Sequence, residues 1–282
     1  MSNPVFNRLE GEWAAKPGGP STTQTAPAQP IYDPAAFAQA QQAYYEPAAT
    51  AVETGRMTWD DVIVKTALNL GTLLVGAAAS WYATVVNPQT GMVLMMVGLV
   101  AGLILALVNI FSRTVRPPLI LAYSLAQGVA LGALSSVTEQ ILPGVVLQAV
   151  VATGVVFAVT LLLFSSGKVR NSPKLTKFTL IALLGIIGSR LLIWVLGLLG
   201  VPGMQFGGEG INLLGIPLPI LISLFAVVVG AICLIQDFDQ ARVGVEQGVP
   251  AKYAWACAFG IMVTVVWLYV EILNILSYVN SR

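Results

Sequence analysis

The chain has 282 residues, of which 56% are hydrophobic and 10% charged, and its mean hydropathy is +0.81. Soluble domains carry about 25% charged residues, so most of this chain cannot face water. A formal net charge of +1 leaves no basic stripe for nucleic-acid phosphates, and the lack of histidine removes a common metal ligand and the usual neutral-pH switch.

Met1 to about Arg56 is rich in Pro, Ala, Gln, Thr and Gly, with too few apolar residues to build a core. A disordered, solvated tail over residues 1–56 is predicted. No apolar run follows the start, so this stretch does not read as a signal peptide.

From Thr58 onward, apolar segments alternate with polar breaks. A bilayer core of ~30 Å requires about 20 apolar residues per helix. Seven spans are predicted: Ile63 to Val86, Met92 to Phe111, Pro118 to Thr138, Val145 to Phe164, Phe178 to Leu199, Leu213 to Gln236 and Gly260 to Val279. Asn87 to Gly91, Ile141 to Gly144 and Gly200 to Val201-Pro202-Gly203 supply short turns. Gly128-x-x-x-Gly132 suits close helix contact. Cys233 and Cys257 have no motif spacing and read as small apolar fillers.

The loops after spans two, four and six contain Arg113, Arg116, Lys168, Arg170, Lys174, Lys177, Arg242 and Lys252, whereas those after spans one, three and five contain no Lys or Arg. This asymmetry predicts a cytoplasmic N-terminus and an outer C-terminus. Lys65 is close enough to a span end to snorkel, and Glu139 lies at an outer turn; both read as structural.

Three acids and one arginine stand out. Placing an acid near the middle of a membrane helix costs ~2.5–3.5 kcal/mol, so Glu271 needs a partner, a cavity or an ion path. Arg190 lies 12 residues from Phe178, about 18 Å at helical rise, and Glu271 lies 11 residues from Gly260, at similar depth. An ion pair between them is geometrically sensible. Asp237 and Asp239 end span six, where negative charge opposes the helix dipole and is therefore not placed for stability. Arg113 and Arg116 end span two on the same side and are positioned to clamp these acids.

Several strings now carry a resemblance. Trp267-Leu-Tyr-Val-Glu-Ile-Leu-Asn-Ile-Leu276 resembles the last-helix signature of the Bax inhibitor-1 family, in which a leucine-tyrosine pair precedes an acid and an apolar run containing Asn. The Asp237-Phe-Asp-Gln240 end of span six is similar to the family's other acidic motif. Met57-Thr-Trp-Asp-Asp-Val62, Arg116-Pro-Pro-Leu119 and Ala258-Phe-Gly260 resemble a bacterial branch. These matches run from about Met57 to the end and leave the tail unmatched.

The resemblance implies an all-α membrane protein, a seven-transmembrane-helix bundle whose central last helix is ringed by the other six. It also implies a pH-sensitive calcium leak, gated by a hydrogen-bonded pair of acids with a basic residue from span two nearby. On the matching positions the pair is Asp237 and Glu271, which would also contact calcium transiently; Asp239 accompanies them, and Arg113 or Arg116 is the latch. Two adjacent carboxylates in low dielectric cannot both ionise cheaply. Glu271 stands where the family usually has Asp. A simple hairpin turning near Glu246 sets Asp237 opposite Trp255, so its pairing with Glu271 requires Pro250 to Phe259 to lie in the interface or the loop. Otherwise Glu271 pairs with Arg190.

Three functions follow as alternatives: a pH-sensitive cation leak; a modulator of a membrane-bound protease, contacted through the tail; and an intramembrane enzyme. The last ranks lowest, because no nucleophile and base stand together at recognisable spacing. The chain is expected to be no enzyme, to need no cofactor beyond calcium as cargo, and to reside in the plasma (inner) membrane.

Overall fold

The computed structural model describes residues 55–112, 114–167, 171–200, 212–213 and 216–281. Apart from Gly55 and Arg56, the predicted tail lies outside them, as does the turn beyond Gly200. Arg56 does not continue a tail: it forms a bridge with Pro250, and Met57 N–H donates to Val249 O at 2.7 Å.

Seven helices follow: α1 (Trp59–Val86), α2 (Pro88–Phe111), α3 (Pro117–Ile141), α4 (Val145–Ser165), α5 (Pro173–Leu198), α6 (Leu218–Glu246) and α7 (Ala254–Asn280). A two-residue antiparallel pair, β1 (Asn212–Leu213) with β2 (Ile216–Pro217), precedes α6. All seven helices are long and apolar enough to cross a membrane. Their outer faces leave Val75, Leu147, Ile181 and many other large apolar side chains exposed. Water does not tolerate so continuous an apolar surface, whereas hydrocarbon does. The chain is an integral membrane protein.

Local chemistry sets the helix ends. Thr58 and Asp61 form a capping box at the start of α1. Asn87 ends α1 and caps α2 by accepting from Gln89 N–H at 3.0 Å, with Pro88 as the first helical residue. The Glu139 carboxylate accepts from Gly144 N–H at 2.6 Å and Val146 N–H at 3.2 Å, tying α3 to the start of α4. Ser172 caps α5, which starts at Pro173, five residues before the expected start at Phe178.

The connection between α6 and α7 corrects the expected span ends. α6 starts at Leu218 rather than Leu213 and runs on past Gln236 to Glu246, and after a 3-10 turn at Ala251–Tyr253, α7 begins at Ala254 rather than Gly260. Residues 254–259 are therefore the first turns of a helix rather than an interfacial or loop segment. Lys65 braces this corner, donating to Asp61 Oδ1 and to Ala251 O, each at 2.8 Å.

α7 occupies the centre. It contributes Met262 and Val266 to a cluster with Leu73, Tyr123 and Leu131, contributes Ile272 and Leu273 to one with Val145, Val146 and Ala149, and lays Trp267 on one formed by Ala182, Ile186, Ala226 and Val229. α1 and α3 approach closely because Gly128 and Gly132 face the backbone carbonyls of Leu73 and Ala77, where a Cβ would not fit. Between α1 and α4 a groove of about 560 Å³ runs down to α7, lined by apolar residues such as Leu70, Leu74, Val150 and Val265.

Candidate functional site

α6 and α7 run antiparallel, joined by the turn around Gly248 to Pro250, and the polar side chains between them fall into two layers. Nearer the α6–α7 connection, Asp237 Oδ2 accepts from Thr264 Oγ1 at 2.7 Å. Its other oxygen faces Gly260, where a Cβ would stand 3.2 Å away. Among the described residues Asp237 has no salt-bridge partner. Cys233 and Cys257, both free and half-buried, lie within electrostatic reach of it.

The second layer lies farther from the connection. Glu271 is buried at 5% exposure, and its Oε2 stands 2.7 Å from Arg190 Nη2 on α5. Its Oε1 accepts from Trp267 Nε1 at 3.1 Å, one turn earlier on α7. Arg190 Nη2 also donates to Ser223 Oγ of α6 at 2.7 Å, so one guanidinium joins α5, α6 and α7. Arg190 is 17 residues from Pro173 and Glu271 is 17 from Ala254, which puts both about 25 Å from the same end of the bundle and only some 13 Å from the other. The matched depth holds, but the layer is off-centre because both helices begin earlier than expected.

The expected hydrogen-bonded pair of Asp237 and Glu271 is not formed. Thr264 takes the place opposite Asp237, and Glu271 lies seven residues beyond it, about 10 Å along the helix. Nor do the two acids converge on one calcium ion, since Ca²⁺–oxygen contacts of about 2.3–2.6 Å require ligand oxygens within roughly 5 Å of each other. Asp239 pairs with Arg242 at 3.0 Å on its own helix, and Arg242 also reaches Glu246 at 3.7 Å. This explains an acid at that helix end locally, without a path. Arg116 is no latch on either acid: it precedes α3, exposed, with its Nε 3.4 Å from Thr114 Oγ1. Arg113 lies outside the described residues.

Sequence reading missed Thr264, Ser223 and Trp267. For Thr264 the signal was present. A turn centred near Val249 pairs Asp237 with about residue 261, and Thr264 supplies the hydroxyl on that stretch. Further hydrogen bonds cross between helices, among them Gln236 to Thr179 at 2.9 Å, Ser135 with Tyr269 at 2.6 Å and Ser124 to Asn69 at 3.2 Å.

Seven apolar helices with α7 at their centre, and carboxylates held between the last two, define an integral membrane protein with intramembrane charge. The chain belongs to the Bax inhibitor 1 like family, whose sequence profile matches residues 3–281. That match includes the segment ahead of Met57, which the short motifs had left uncovered. Comparison with curated proteins returns no match.

Proposed function

We propose that this protein is a pH-sensitive cation leak pathway, with calcium as its cargo, in which Asp237 and Glu271 act at successive levels rather than as one pair. The observation that carries this reading is Asp237: a carboxylate about 14 Å inside α6, held by the Thr264 hydroxyl and, among the described residues, by no cation. An acid within the membrane that is not neutralised by a protein partner offers its oxygens to a proton or to a passing ion. Carboxylate oxygens are hard ligands suited to calcium. Protons compete with cations for them by mass action, so the leak rises with pH.

Glu271, matched by Arg190, is the closed level. Arg190 is more exposed than its partner, with 36% of its side chain accessible against 7% for Glu271, so the guanidinium is the member free to swing aside. Separation of the pair would give a cation arriving from Asp237 a second carboxylate.

The Lys and Arg asymmetry favours the α6–α7 connection facing the cytoplasm, with the N-terminus inside and the C-terminus outside. The plasma (inner) membrane of a bacterium is the location that this reading assigns. The protein acts as a conduit, with no covalent chemistry and no cofactor. The test is purified protein in liposomes enclosing a calcium-sensitive dye. Wild type should admit calcium faster than Asp237→Asn, and equal rates would contradict the reading.

A further inference from the structure

α6 carries Ser223, Gly230 and Asp237 at seven-residue intervals, which places them on one face. Ser223 belongs to the Arg190–Glu271 layer, and Asp237 bonds Thr264. Gly230, midway between them, receives Leu268 of α7. A Cβ added at Gly230 would stand 2.6 Å from Leu268 Cδ2, 3.0 Å from its Cγ and 3.6 Å from the Trp267 ring. Leu268 has 0% exposure. It lies four residues past Thr264 and three before Glu271, so it is interposed between the layers along the axis of α7.

We propose that Leu268, seated on Gly230, is the hydrophobic gate between the two carboxylates and the residue that sets the resting leak. This rests on the cation-leak reading above. A cation moving from Asp237 towards Glu271 must give up oxygen ligands at the isobutyl group. The contact between Leu268 and Gly230 leaves no room even for a methyl group, so water cannot accompany the ion. An apolar constriction of this kind blocks ions by excluding their hydration.

Glycine at 230 is part of the device. Any Cβ there displaces the tip of Leu268, whereas hydrogen lets the two helices close on it. The carboxylate levels select for positive charge, and Leu268 determines how often a selected ion crosses between them.

The test uses the full chain in liposomes enclosing a calcium-sensitive dye, with calcium chloride added outside. Leu268→Ala should raise calcium entry about tenfold, the change that follows from a barrier lowered by ~1.4 kcal/mol. Leu268→Val should raise it by a smaller factor, and it decides the sign if Leu268→Ala fails to fold. Leu268→Met, which refills the space, should remain near the wild-type rate. If Leu268→Ala or Leu268→Val leaks no faster than wild type while Asp237→Asn still lowers the leak, the gate is overturned and the leak reading stands. If wild type and Asp237→Asn leak alike, the leak reading fails and the gate falls with it.

Discussion

Arg190 on α5 and Glu271 on α7 meet at 2.7 Å, and the same guanidinium nitrogen holds Ser223 of α6 at 2.7 Å. This contact secures α5, whose main packing neighbour is α6. Removing one member of a buried ion pair leaves a charge unmatched, and the cost of about 3–5 kcal/mol seen in fully buried pairs is reduced here by the exposure of Arg190. Glu271→Leu and Arg190→Met should each destabilise the protein in detergent, while the double variant should recover about 1–3 kcal/mol of their summed loss. Additive losses in a double-mutant cycle would show that the two side chains do not depend on each other.

The Asp237 layer offers a cleaner substitution. Thr264→Val keeps the branched shape but removes the hydroxyl that donates to Asp237. Hydrogen bonds to charged groups contribute about 1.5–3 kcal/mol, so stability should fall by roughly that amount and the calcium leak should change with it. Thr264→Ser retains the donor and should stay close to wild type in both measurements. A Thr264→Val protein that melts and leaks as wild type does would remove Thr264 from the site.

Helix packing gives a matched pair of glycines. Gly132 faces the Ala77 carbonyl so closely that an alanine there must push α1 and α3 apart, whereas nothing lies within 4 Å of a Cβ built on Gly154. Overpacking costs about 1–3 kcal/mol, so Gly132→Ala should lower the denaturation midpoint while Gly154→Ala leaves it unchanged or raises it slightly. Equal midpoints for the two variants would contradict the close approach of α1 and α3.

Glu139 caps the next helix in place of the residue just before it, where Gly144 has no side chain to do so. Glu139→Ala should cost about 0.5–2 kcal/mol, the usual value of a lost N-terminal cap. Because the carboxylate serves α4 rather than an ion path, calcium leak should be unaffected. A changed leak with unchanged stability would move Glu139 from the scaffold to the pathway.

Composition made the seven spans legible, because a helix crossing hydrocarbon must be apolar for about 20 residues. It did not reveal where they end. α6 continues ten residues past Gln236 because Asp239, Arg242 and Glu246 pair along its surface while Ala241 and Gly244 pack inward, Gly244 against Met57. A hydropathy reading stops where polarity begins, yet a helix continues while its own side chains support it. The same shift hid the site. With α7 starting at Ala254, the register sets Asp237 against Gly260 and Thr264. The Arg190–Glu271 contact was readable from matched depth, since both helices start early by similar amounts and the error cancels. Thr264 carried no charge, so it drew no attention until the register was known.

The central claim is that Asp237 binds cations in competition with protons. Its most direct test is calcium entry into dye-loaded liposomes across a pH series, comparing wild type with Asp237→Asn. The expected result is a wild-type leak that climbs as pH rises and an Asp237→Asn leak that is low and flat over the same range. Parallel curves of equal height would contradict the claim.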